Sequence, residues 1–295
     1  MAKKKFYRPI LYYMLLGLRG FFMLLPFRFG FEFAGFVGWL SFHLLGRERR
    51  KVLDHLAIAF PEKSESEIRA IARRMFRNYG YTLAELALLD KLIPRFGELI
   101  TVTGREHFDR ALKEGKGMTA IGAHFANWEI MAGYLAYIGY PNTVVARRIY
   151  YDKYDKLLIE ARQKMKLMTI DRDQAAREVL KAFKNNQVVG FVADQDVETL
   201  DGVFVDFFGR PAFSPSAPVR FAVKAGAPVI PLFMIREGMR YRIIIEPAIE
   251  MTLTGDKERD IAANTQKWVS IQERYIREYP HLWVWNHKRW KTRQN

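Results

Sequence analysis

The chain has six histidines and no cysteine, so thiolate nucleophiles, disulfides and Cys-ligated zinc are all excluded. His124 is singled out by its place in Ile121-Gly122-Ala123-His124-Phe125-Ala126-Asn127-Trp128-Glu129. The apolar run 118–123 before it reads as a buried strand. The run 128–137 after it reads as a helix, with Asn127 as its candidate N-cap. His124 therefore lies where a strand passes into a helix, the end of a strand at which open α/β sheets hold their chemistry.

Glu129 follows five residues later. At about 100° per residue the two side chains would point roughly 140° apart on one continuous helix. They can meet only if His124 stays in the loop and Glu129 enters the first helical turn. Glu129 could then accept a hydrogen bond from one imidazole nitrogen and leave the other free as a base. The helix N-terminus would offer N–H groups to developing negative charge. The competing reading is a His and a Glu each satisfied locally at a helix start.

Several familiar sites are missing. There is no G-x-S-x-G elbow, no P-loop and no G-x-G-x-x-G. His281 and His287 are six apart among Trp and basic residues, which is not the spacing of a helical zinc pair. No metal and no cofactor are expected.

The elements that must position His124 emerge from the pattern of the whole chain. At 295 residues, 49% hydrophobic, there is material for one large domain or two small ones. The formal net charge of +15 points to an anionic partner. Lys3, Lys4, Lys5 and Arg8 precede apolar runs at 10–18 and 20–27, and a third covers 33–45. With no cleavage site, and with Arg19, Arg28 and Glu32 interrupting, residues 1–45 read as apolar membrane-associating helices, embedded or interfacial. The alternative is a helical pair packed on the domain's own core. Residues 46–97 form a helical lead-in, with a basic cluster at Arg47, Arg49, Arg50 and Lys51 and a capping box at Ser64 and Glu67. From residue 98 to 295 strands alternate with helices. Strands are expected near 99–102, 118–123, 142–147, 167–170, 188–193, 229–235 and 241–245, helices between most of them, and a long loop over 194–214. The fold class is α/β: a largely parallel central sheet with helices on both faces, preceded by the apolar helical N-terminal membrane-anchoring region.

Three ordered blocks carry a resemblance. They are the His124 block, the aromatic and Gly-bearing stretch from Gly202 to Ala212 with its Phe207-Phe208-Gly209-Arg210, and Ala227-Pro228-Val229-Ile230-Pro231. Together they resemble the bacterial lipid A biosynthesis (late lauroyl/myristoyl) acyltransferases, a branch of the lysophospholipid acyltransferase superfamily. The resemblance runs over most of the chain.

The resemblance implies transfer of an acyl chain from a thioester on acyl carrier protein or coenzyme A to a hydroxyl of an anionic glycolipid, a lipid A precursor. The transfer would be direct, with no acyl-enzyme. His124 would be the general base and Glu129 the carboxylate that orients it. Asn127, Arg148, Arg162, Asp194, Gly209 and Arg210 would bind substrate. Arg147 competes with Arg148, and a solvated helix face competes for Arg162. Asp194 could hydrogen-bond the catalytic region or simply form a turn. Phe204, Phe207 and Phe208 could line an acyl groove or belong to the core. The Trp-rich tail from Trp283 to Trp290 suits a membrane interface or a base-stacking strip; the N-terminal apolar mass favours the membrane over nucleic acid. The expected location is the cytoplasmic face of a bacterial inner membrane. The rivals are acylation of another glycolipid or lysophospholipid, and a non-catalytic basic membrane-bound interaction protein.

Overall fold

The computed structural model describes residues 7–294. The lysines at 3–5 lie outside them. Helices come first: α1 (Tyr7–Leu24), α2 (Phe27–Leu44), α3 (Gly46–Ala59), α4 (Glu65–Ala87), and the short α5 (Leu89–Leu92) and α6 (Phe96–Leu99). The α4 helix opens with the capping box expected of Ser64 and Glu67. Then follow β1 (Ile100–Thr103), α7 (Arg105–Lys113), β2 (Met118–Gly122), α8 (Trp128–Tyr137), β3 (Asn142–Ala146), α9 (Asp152–Lys164), β4 (Met168–Asp171), α10 (Ala175–Lys184) and β5 (Val188–Val192). The hairpin β6 (Gly202–Phe207) and β7 (Arg210–Pro215), then α11 (Ala217–Ala225), β8 (Val229–Glu237), β9 (Arg240–Ile245) and α12 (Lys257–Glu278), come next, followed by a 3-10 turn (Pro280–Leu282) and an irregular tail.

Seven strands form one sheet in the order β1-β9-β8-β2-β5-β3-β4. Only the β8–β9 pair is antiparallel, so the sheet is largely parallel as its residues predict. Every residue of β2 is buried, as is β8 as far as Arg236. Burial on both sides means that both faces of the sheet are covered, the usual state of parallel strands. On one of them α12 packs onto β8, with the Tyr275 ring stacked 4.0 Å from Phe233.

Helix α2 lies tightly on α4 because glycines face each other. A Cβ on Gly80 would come within 2.0 Å of the Ala34 carbonyl oxygen, and one on Gly38 within 2.4 Å of that of Phe76. So α2 belongs to the protein's own core through Phe27, Phe31 and Phe42. Its other face and most of α1 are bare: Met14 is 64% exposed and Phe36 53%. Among the described residues no helix is long and apolar enough to cross a membrane. The embedded form of the N-terminal expectation therefore has no spanning helix behind it; an exposed apolar face remains.

The expected loop over 194–214 is in large part the β6–β7 hairpin. Its two-residue turn, Phe208 (φ 56°) and Gly209 (φ 70°), has positive φ at both positions, as the mirror-image turns of hairpins require. Phe is a poor residue for that conformation, which hid the turn in the sequence. Phe207 and Phe208 pack edge-on with Trp283 and Trp285. These phenylalanines are core, and both tryptophans are buried with them rather than presented to an interface.

Candidate active site

The sheet register brings the site together. β2 and β5 are parallel neighbours with Gly122 opposite Val192. His124 and Asp194 each stand two residues beyond that pair, so they face each other at the carboxyl edge of the sheet. Asp194 Oδ1 accepts a 2.6 Å hydrogen bond from His124 Nδ1. Its Oδ2 accepts from the His124 backbone N–H at 2.9 Å and from Trp283 Nε1 at 2.7 Å. Asp194 is fully buried. Burial alone would push its carboxyl group up, but the His124 imidazole, the nearby His287 and the His124 backbone N–H outweigh it and hold the pKa well below the usual carboxylate range. An ionised carboxylate only accepts, so Nδ1 carries a proton, and in the neutral imidazole Nε2 is then the nitrogen with the lone pair.

The loop carrying His124 is clamped from the far end of the chain. Ala126 N–H donates to the Leu282 carbonyl and Val284 N–H to that of His124. Ala126 holds φ 46°, and Thr82 on α4 donates to its carbonyl. Asn127 caps α8 as expected, its side chain accepting from Ile130 N–H. Its amide donates to Glu85 at 2.7 Å, and Glu85 pairs with Arg236, all buried. The polar atoms of Asn127 are thus spent inside the protein, so it sets the loop and does not face a substrate.

Glu129 does not orient His124. Both its oxygens are taken by Arg162 on α9, at 2.7 and 2.8 Å. This two-pronged pair, in which Arg162 is buried and Glu129 largely so, with Thr169 of β4 beside it, ties α8 to α9 and the sheet edge. The carboxylate that serves the imidazole is Asp194, and Arg162 is committed to Glu129.

Beside His124 opens a cavity of about 600 Å³, within the size range of ligand sites. It exists because its floor is built of small residues, Ala120, Gly122, Ala132 and Gly190, where larger ones would fill the space. Phe191, Leu232 and Phe221 add apolar walls; Glu129, Arg147, Arg162 and Arg172 are polar ones. Trp128 stands edge-on to the imidazole, ring centres 4.6 Å apart. Arg148 lines a neighbouring cleft of about 340 Å³ and is exposed, while Arg147 borders both spaces. Gly209 and Arg210 are at the exposed hairpin tip, outside the walls of either.

The bacterial lipid A biosynthesis acyltransferase family matches residues 2–292. The chain belongs to that family. It is 27% identical to a lipid A biosynthesis lauroyltransferase of Escherichia coli, over 87% of this chain and 83% of that protein. It is 30% identical to a phosphatidylinositol mannoside acyltransferase of Mycobacterium tuberculosis, over 64% of this chain and 59% of that protein. A lipid A biosynthesis palmitoleoyltransferase of E. coli is 24% identical over 87% of this chain and 83% of its own length. The chain thus spans less than two thirds of the mannoside acyltransferase and most of the two E. coli relatives.

The site also holds residues that local spacing did not single out. Trp283 holds Asp194, while Gln195 and His287 sit against the imidazole. Nothing in local spacing signals Trp283, which lies 89 positions from Asp194. His281, by contrast, is turned away and meets Arg74.

Proposed function

We propose that this family member is an O-acyltransferase that moves a fatty acyl chain from a thioester to a lipid hydroxyl, with His124 as general base and Asp194 as the carboxylate that orients it. The observation that carries this reading is the 2.6 Å His124–Asp194 bond at the wall of a largely apolar cavity. The acceptor hydroxyl gives its proton to Nε2 as its oxygen attacks the thioester carbonyl. The carbon–sulfur bond then breaks and the thiolate takes that proton from the imidazolium. Asp194 stabilises the imidazolium in between. No acyl-enzyme is required. General-base catalysis of this kind contributes about 10²- to 10⁴-fold.

The donor in this reading is an acyl-thioester carrier, acyl carrier protein or coenzyme A, and the acceptor an anionic lipid A precursor. Arg147 and Arg172 on the cavity wall suit anionic groups, and the net charge of +15 suits an acidic donor. A second reading, another glycolipid as acceptor, draws on the similarity to the mannoside acyltransferase. The bare faces of α1 and α2 would rest in the cytoplasmic leaflet of a bacterial inner membrane, as interfacial rather than spanning helices.

His124→Ala should abolish thioester-dependent acylation of a lipid A precursor in a folded protein; turnover within tenfold of wild type would remove His124 from the mechanism. Membrane contact is tested by Met14→Asp with Leu18→Asp, since both are exposed and the core is untouched. Binding of the double variant to anionic liposomes should fall by at least tenfold, and unchanged flotation would exclude this face.

A further inference from the structure

The imidazole has one more neighbour, Gln195, for which the scheme above has no task. Its amide nitrogen lies 2.8 Å from Nε2 of His287, and 3.0 and 3.2 Å from Nε2 and Nδ1 of His124. That near-equality is informative. A nitrogen so close to both ring nitrogens cannot lie in the ring plane, where Cε1 on one side and the Cγ–Cδ2 bond on the other occupy the space. It sits over the ring face, so the in-plane lone pair of Nε2 stays open to a hydroxyl.

The partners fix which way the amide points. His287 is largely buried, and burial lowers its pKa to about 4, with Asp194 pulling it up and His124 pushing it down. It is therefore neutral near pH 7, and in its Nδ1–H tautomer Nε2 accepts from one N–H of Gln195. An N–H over the imidazole face is weakly favourable, whereas a carboxamide oxygen there would meet like partial charge. The second N–H then has no in-plane acceptor, and Gln195 lines the same cavity wall as His124. The obvious backbone rivals are occupied. His124 N–H goes to Asp194, Phe125 N–H to the Ala123 carbonyl and Ala126 N–H to that of Leu282.

We propose that this second N–H of Gln195 stabilises the thioester carbonyl oxygen as it becomes an oxyanion, and that His287 is the positioning residue that aims it. The inference rests on the acyl-transfer reading. As the acceptor O–H proton moves to His124 Nε2 and the new carbon–oxygen bond forms, the carbonyl π pair moves onto its oxygen, beside the amide. When the pair returns, the carbon–sulfur bond breaks and the thiolate leaves with the proton from His124. A preorganised donor strengthens toward the transition state and acts on kcat rather than on binding.

The test uses the full chain and hydrolysis of dodecanoyl-coenzyme A, followed by thiol release, with water as acceptor so that no lipid need be known. Gln195→Ala should lower kcat by about 10²- to 10³-fold with KM within about threefold. The near-isosteric Gln195→Glu should lose at least as much, because a carboxylate repels the oxyanion, and guards against a packing artefact. His287→Ala should cost about tenfold in kcat, and His287→Gln, whose Oε1 reaches the place of Nε2, should recover part of it. If Gln195→Ala keeps kcat within threefold, or raises KM alone, while His124→Ala is dead, the inference about Gln195 is overturned and the oxyanion is held elsewhere, such as the start of α8. Wild-type hydrolysis no faster than that of His124→Ala, with the coenzyme A thioester and the acyl carrier protein thioester alike, would overturn the acyl-transfer reading itself, and the inference with it.

Discussion

Replacing Asp194 with Asn tests the site by changing a single atom. In the native arrangement Oδ2 accepts two N–H groups and Oδ1 accepts one. If the new NH2 took the place of Oδ2, it would face the His124 backbone N–H and the Trp283 indole N–H at once. If it took the place of Oδ1, it would face only His124 Nδ1, and the imidazole can relieve that conflict by moving its proton to Nε2. The second arrangement keeps every hydrogen bond and is therefore preferred. It also places the proton on the very nitrogen that must accept one. The same substitution in a Ser-His-Asp triad costs about 10⁴-fold in kcat through the wrong tautomer. Here, with the imidazolium also deprived of its buried counter-charge, kcat for Asp194→Asn should fall by about 10³- to 10⁴-fold, roughly 4–5.5 kcal/mol of barrier. Steady-state acyl transfer from a dodecanoyl thioester, with circular dichroism to establish that the fold is kept, measures this. A folded variant with kcat within tenfold of wild type would refute the tautomer argument and Asp194 as its agent.

Glu129→Gln should act on stability, because it strands Arg162 in a buried site. Loss of one partner of a buried pair costs about 3–5 kcal/mol, read as a lower urea midpoint, and Glu129→Gln with Arg162→Met should recover part of it. An unchanged midpoint would show that the pair is not buried in solution. Stability should also fall in mild acid. His287, at about 4 in the folded chain against 6.5 unfolded, binds its proton less readily when folded. Its contribution is intact above pH 6.5 and is lost as pH falls toward 4, at about 1.4 kcal/mol per pH unit. His281 shifts the same way, lowered to about 4 by burial and by Arg74 and Arg236. Urea midpoints at pH 7 and pH 5 should differ accordingly, and His287→Gln should flatten the slope; equal midpoints in the wild type would contradict neutral burial of both rings.

Much of the local framework was readable in order along the chain. The strand, loop and helix around His124, the Asn127 cap, the capping box at Ser64 and the parallel sheet follow from periodicity and terminal residues, which act within a few positions. The choice of carboxylate did not follow. Spacing offered Glu129, five residues from His124, but Glu129 is taken by a guanidinium 33 positions on. Asp194 comes to the imidazole only because β5 is inserted beside β2 with Gly122 and Val192 in register. Likewise Trp283 and His287 reach the site through the tail that pairs with the His124 loop. Strand order and the competition among buried charges for partners are settled by the packing of the whole chain. A helix cap or a hydrophobic period is settled by its neighbours. That difference in range is why the position of His124 was visible in the amino-acid sequence, and why the groups packed around its imidazole were decided by the tertiary structure alone.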